Sequence, residues 1–131
     1  MTPRLYRVIL PVSDIERAAE FYGLLLGDPG ERVSPGRHYF DCGGTILACY
    51  DPAADGDPVG DGWRFHENQY VYFAVGDLEG VLERAQQAGC TRLDDSIGEM
   101  PWGERLFYAK DPFGDPICFV DEGTLFTGVE G

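Results

Sequence analysis

The sequence is poor in the patterns that hold metals, phosphates and nucleic acids. It has two histidines, His38 and His66. Its four cysteines, Cys42, Cys49, Cys90 and Cys118, form no C-x-x-C pair and no zinc-ligand spacing. Cys49 and Cys118 lie in apolar strand-like runs, where a free thiol behaves as a small hydrophobe. Basic residues are few, 10 against 23 acids, for a net charge of −13. A phosphate-binding surface needs Lys and Arg to displace counterions, so nucleic acid is excluded as a partner. There is no G-x-G-x-x-G and no P-loop. No apolar run approaches the roughly 20 residues that span a bilayer. The amino terminus lacks the basic, apolar, small-residue succession of a signal peptide. The expectation is a soluble cytoplasmic protein with no membrane partner. Its acidity serves solubility or attracts a cationic ligand.

What is present is a repeated strand–cap–helix unit. In Arg7–Gly27, Val8, Ile9, Leu10 and Val12 read as a buried strand. Ser13 and Glu16 then have the S-x-x-E spacing of a capping box. Ile15, Ala18, Ala19, Tyr22, Leu25 and Leu26 recur at helical spacing, and Gly27 can take the left-handed conformation that ends a helix. Sliding the chain by 63 positions puts Asp14 on Asp77, Val12 on Val75, Glu16 on Glu79 and Glu20 on Glu83. The second stripe is Leu78, Val81, Leu82, Ala85 and Ala88, closed by Gly89. Such a unit cannot bury its own apolar face, so the repeat sets the architecture.

At 131 residues the chain is one domain built from two half-domains. Module one covers about residues 4–50, a Pro/Gly/Asp-rich connection 51–68, module two about 69–122, and a tail 123–131. Arg37–Asp41 and Thr45–Tyr50 form a hairpin around Cys42-Gly43-Gly44. In the connection, Asp55, Asp57 and Gly60 suggest a calcium loop. Val59 and His66 fall where an oxygen ligand and a bidentate Glu are required, so the acids read as a solvated linker. Thr91–Gly98 is a strand with its turn. Glu104–Ala109 and Pro116–Val120 are a second hairpin around the type I turn Asp111-Pro112-Phe113-Gly114. Strand blocks that follow helices make the chain α+β.

The V-x-D-φ-E-x-A-x-x-F-Y-x-x-x-L-G pattern from Val12 to Gly27 (φ apolar), the V-x-D-L-E echo at Val75–Glu79, and the P-W-G…D-P-F-G-D-P-I run from Pro101 to Ile117 carry a resemblance. Over residues 5–122 the chain resembles the vicinal-oxygen-chelate superfamily, which includes glyoxalase I, extradiol dioxygenases, and fosfomycin- and bleomycin-resistance proteins. The resemblance implies two paired βαβββ modules curled into a half-open barrel around a ligand cleft. It also implies a homodimer.

The superfamily's enzymes hold a divalent metal with His, Gln or Glu at fixed strand positions. Those positions fall here on Arg7, Ala48, Tyr70 and Cys118. A guanidinium cannot bind a cation, a methyl has no donor atom, a neutral phenol is a poor ligand, and one thiol alone cannot hold an ion. No metal and no cofactor are expected, and the superfamily's Lewis-acid chemistry has no source. Neither His38 nor His66 falls on a ligand position. Strand alternation puts Ile9 and Tyr72 on the faces of Arg7 and Tyr70, with Pro116 and Val120 beside Cys118. Trp102, Trp63 and Phe65 lie in loops. The candidate ligand-binding set is Arg7, Ile9, Ala48, Tyr70, Tyr72, Trp102 and Cys118. Arg7 is expected to pair with an acid of the protein or with an anionic group of a ligand.

Two functions fit. The first is a metal-independent protein that binds an aromatic or hydrophobic small molecule, as the bleomycin-resistance branch does. The second is a glyoxalase- or dioxygenase-like enzyme with relocated metal ligands or metal-free acid–base chemistry, for which Glu99 and Glu104 are the only candidate carboxylates. A purely structural or regulatory dimer module is a third reading.

Overall fold

The computed structural model describes residues 2–126; the rest of the expected tail, residues 127–131, lies outside them. The chain divides between Phe65 and His66 into two compact units. The first contains β1 (Arg7–Pro11), α1 (Ile15–Leu26), β2 (Glu31–Ser34), β3 (Arg37–Cys42) and β4 (Thr45–Tyr50). Its sheet runs β1-β4-β3-β2, with β1 parallel to β4 and the other pairs antiparallel. The second contains β5 (Val71–Val75), α2 (Leu78–Ala88), β6 (Arg92–Leu93), β7 (Gly98–Glu99), β8 (Arg105–Lys110) and β9 (Pro116–Asp121). Its sheet runs β5-β9-β8-β6, with β7 also on β8 and β5 parallel to β9. The fold is α+β: one βαβββ module and a second in which the first strand after the helix is split into β6 and β7, the paired modules that the resemblance implies.

Both helices begin on an aspartate. Asp14, not Ser13, caps α1, its carboxylate accepting from the Arg17 amide at 3.1 Å. Asp77 accepts from the Gly80 amide at 3.0 Å in the same way. An aspartate caps as well as a serine and adds a charge that the helix N-terminus favours, so the cap moves one residue on. Glu16 does not close a capping box and pairs with Arg32. Gly27 and Gly89 end the helices at positive φ, as expected.

Alternation divides the aromatics between the two faces of each sheet. Under α2 lie Phe73, Phe107 and Phe119. Phe119 stacks on Phe73 at 5.1 Å and on Phe107 at 5.3 Å. With Leu78, Val81, Ala85 and Ala88 of the helix they are buried, each phenylalanine contributing about 1.5–3 kcal/mol. Under α1 the same place is taken by Leu10, Phe40, Leu47 and Cys49, against Tyr22. The strand tyrosines, Tyr39, Tyr72 and Tyr108, have the opposite parity and face away from the helices.

Three local expectations change. Glu31–Ser34 is an edge strand with no apolar alternation to announce it. Thr91–Gly98 is broken into β6 and β7, because the Asp94 carboxylate accepts from the Tyr108 amide at 2.9 Å and interrupts the ladder. The acids of 51–68 are not a solvated linker throughout. Pro52–Asp55 is a short 3₁₀ turn, and the Asp55 side chain, 7% exposed, accepts from Ser34 Oγ (2.8 Å), the Gly36 amide (2.6 Å) and Arg37.

Gly36 makes that clasp possible. A Cβ on it would stand 2.2 Å from the Asp51 carbonyl oxygen, which is backbone and cannot swing aside. Gly36→Ala should cost about 1–3 kcal/mol. It should open residues 51–57 to protease, as read from urea midpoints and the first cleavage site.

Candidate functional site

The expected site residues fall into two groups, one in each unit. In the first, Arg7 pairs in register with Ile46, and Ile9 with Ala48, which is also opposite Tyr39. Arg7, Ile9 and Ala48 therefore share the face turned away from α1. Among the described residues, Arg7 meets no carboxylate. Its guanidinium lies over the rings of Tyr6 (5.0 Å) and Tyr39 (5.3 Å), with Nη1 3.4 Å from the Tyr39 hydroxyl. These contacts raise its pKa, that with Tyr6 first and then that with Tyr39. The guanidinium is held by aromatic faces, a cation–π pairing.

In the second unit, Tyr72 stands opposite Cys118 and Ala74 opposite Val120. Tyr70 packs edge-on to Tyr108 (5.2 Å) and lies 6.3 Å from Tyr72. Leu106, Cys118 and Val120 form a buried cluster against Tyr70, Met100 and Tyr108. Beside it opens a cavity of about 610 Å³ whose walls include Tyr72, Trp102, Glu104, Val120, Leu125 and Phe126. Tyr72, Trp102 and Phe126 are 55%, 57% and 70% exposed. Glu104 fixes this wall: Oε1 accepts from Trp102 Nε1 at 2.7 Å and Oε2 from the Phe126 amide at 3.2 Å. At the other end of the sheet a cavity of about 310 Å³ is lined by Tyr70, Tyr108, Arg92, Lys110, Asp94 and Glu67, among others.

Tyr70, Tyr72 and Cys118 thus lie on one face of the second sheet, with Trp102 beside it. Leu125, Phe126, Arg92 and Lys110 were not expected. The first pair follows the last strand and reads as tail. The second pair follows from alternation only once β6 is in register with β8. Trp63 belongs to the first unit, where its Nε1 donates to the Tyr50 carbonyl at 3.0 Å. His38 is buried and structural: Arg32 Nε donates to Nδ1 (3.1 Å), which leaves the proton on Nε2 facing the Pro29 carbonyl (2.8 Å).

The positions where the superfamily's enzymes hold metal do not fit a divalent cation. Arg7 is a cation clamped by two tyrosines, and Ala48 has only a methyl. Tyr70 packs by its ring. Burial, then the nearby charges of Glu104 and Asp94, push the Cys118 thiol up to about 12. Packed with Leu106 and Val120 and fully buried, this sulfur is a core atom.

A model of the glyoxalase/bleomycin resistance protein/dioxygenase superfamily matches residues 4–119. The chain belongs to that superfamily. Solved structures agree on the fold. A glyoxalase/bleomycin resistance protein from Albidiferax ferrireducens T118 is 22% identical, with a TM-score of 0.72 over 88% of this chain and 95% of that one. A glyoxalase-related enzyme from Fulvimarina pelagi is 21% identical, with a TM-score of 0.70 over 92% and 88%. A lactoylglutathione lyase from Agrobacterium tumefaciens is 18% identical, with a TM-score of 0.65 over 92% and 94%. No curated protein matches. No helix among the described residues is long and apolar enough to cross a membrane.

Tyr108 shares the chemistry of Cys118. Burial first, then Tyr72, pushes its phenol up to about 12. Both groups keep their protons in the folded superfamily module beyond the ordinary values of 9.0 for the thiol and 10.0 for the phenol. A raised acid stabilises fully below its unfolded pKa and loses that contribution as pH climbs toward the folded one. Urea midpoints should therefore fall between about pH 9 and 12. Tyr108→Phe, with no proton to release, should flatten that limb.

Proposed function

We propose that this protein is a metal-independent binder of an aromatic or hydrophobic small molecule, of the glyoxalase/bleomycin-resistance type. The cavity of about 610 Å³ beside Tyr72, Trp102 and Phe126 carries this reading. Its volume is within the range of ligand pockets, about 300–1,000 Å³, and its walls are apolar and aromatic with one placed carboxylate. Large aromatics this exposed mark a binding surface when they cluster. Tyr72 and Trp102 offer ring faces to a planar ligand, each stacked pair worth about 0.5–1.5 kcal/mol beyond the area it buries. Val120 and Leu125 supply the apolar floor.

The chemistry of the neighbouring groups favours binding over reaction. Both Glu104 oxygens are engaged, by Trp102 and by the Phe126 amide, so this carboxylate orients the wall and is not poised as a base. A guanidinium at Arg7, a methyl at Ala48, a packed phenol at Tyr70 and one buried thiol at Cys118 are poor company for a divalent cation, which supports metal independence.

The chain has two tryptophans, so Trp63→Phe leaves Trp102 as the only indole reporter. Titrated with 4-nitroaniline, a neutral planar quencher, this variant should show saturable loss of fluorescence. Adding Tyr72→Ala should weaken the binding about tenfold. Non-saturating quenching would overturn the pocket. Stoichiometric, sub-micromolar uptake of zinc, nickel, manganese or iron(II) by calorimetry would overturn metal independence.

A further inference from the structure

The smaller cavity of the second unit, about 310 Å³, has a different chemistry from the aromatic pocket. Arg92 of β6 and Lys110 of β8 stand directly opposite each other in the ladder. Like charges at such a pair destabilise the sheet. Four of the chain's arginines are ion-paired: Arg17 with Glu20, Arg32 with Glu16, Arg37 with Asp55, and Arg105 with Glu79 and Asp121. Among the described residues, the side chains of Arg92 and Lys110 take part in no ion pair. Two juxtaposed cations outside any such ion pair, facing one cavity, make a local place for an anion in a protein of net charge −13.

The rest of the lining sets what that anion carries. Tyr70 and Tyr108, edge-to-face at 5.2 Å, give an aromatic wall beside the two cations. Lys110 and Tyr108 are two positions apart on β8 and so share a face. Two carboxylates also line the cavity. Asp94 is turned to the backbone, accepting from the Tyr108 amide, and Glu67 is exposed. With two positive and two negative side chains, the site tolerates a monoanion and repels a dianion. A volume at the low end of ligand pockets admits a single ring with its head group.

We propose that Arg92 and Lys110, against Tyr70 and Tyr108, form a binding site for an aromatic carboxylate. The guanidinium takes both carboxylate oxygens and the ammonium one of them, while the ring lies along the tyrosine wall. Tyr108, its phenol kept protonated by burial, can donate but not repel.

Lys110 is the only lysine of the chain, so reductive ¹³C-methylation labels it and the amino terminus alone while preserving its charge. Benzoate should move the Lys110 resonance saturably, and neutral benzamide should leave it in place. Arg92→Gln should weaken benzoate about tenfold. It should also hold or raise the melting temperature of the ligand-free protein, because it removes a like-charged neighbour; a merely structural arginine would lower it. An unmoved resonance, an equal response to benzamide, or an equal response to inorganic phosphate at the same concentration would each overturn the site. The label reports this cavity and not the Trp102 pocket, so either can fail alone.

Discussion

Each module depends on one constraint: a single amphipathic helix can cover only one face of its sheet. The apolar stripes of α1 and α2 run along one side, and each helix lies on one side of its own strands. Period-two alternation then sorts every strand residue into a covered or an uncovered set. Phenylalanines take the covered set, where nothing satisfies a hydroxyl. Strand tyrosines take the other, where a phenol can keep its polar end paired or wet. The proposed ligand surfaces are what the helix leaves bare.

On that bare face the second module carries two cavities of different chemistry. One end, around Tyr72, Trp102 and Phe126, is apolar and oriented by Glu104. The other, around Arg92 and Lys110, is charged and backed by tyrosine. Cys118 and Leu106 fill the space between as core. This arrangement also bears on the superfamily's chemistry. Where its enzymes carry metal donors, this chain has a guanidinium held by tyrosines, a methyl, a packed phenol ring and a buried thiol. The superfamily architecture is kept, and metal independence is what we propose for it from those residues.

The first module shows how a segment without periodicity acquires structure. Residues 51–57 have the composition of a solvated loop, yet Asp55 is the hub of a buried clasp to Ser34, Gly36 and Arg37. Composition reports the average solvation of a segment and not the one side chain that finds three donors. Asp94 acts likewise in the second module, where one carboxylate on a strand amide splits an expected strand in two. Ser13 and Asp14 differ by one residue as caps because both chemistries suit the position.

The sequence by itself determined the repeat, the helix stripes, the two hairpins and the faces on which Arg7, Ile9, Ala48, Tyr70, Tyr72 and Cys118 lie. These rest on periods of 3.6 and 2 and on turn chemistry, which are local and need no partner. Tertiary structure alone decided what those residues meet. That Arg7 lies between tyrosines, that Glu104 braces Trp102 and Phe126, and that Arg92 faces Lys110 follow from strand register and chain return. Arg7 and Tyr39 are 32 positions apart, Glu104 and Phe126 22, and Arg92 and Lys110 18, and no local pattern encodes which such residues will meet.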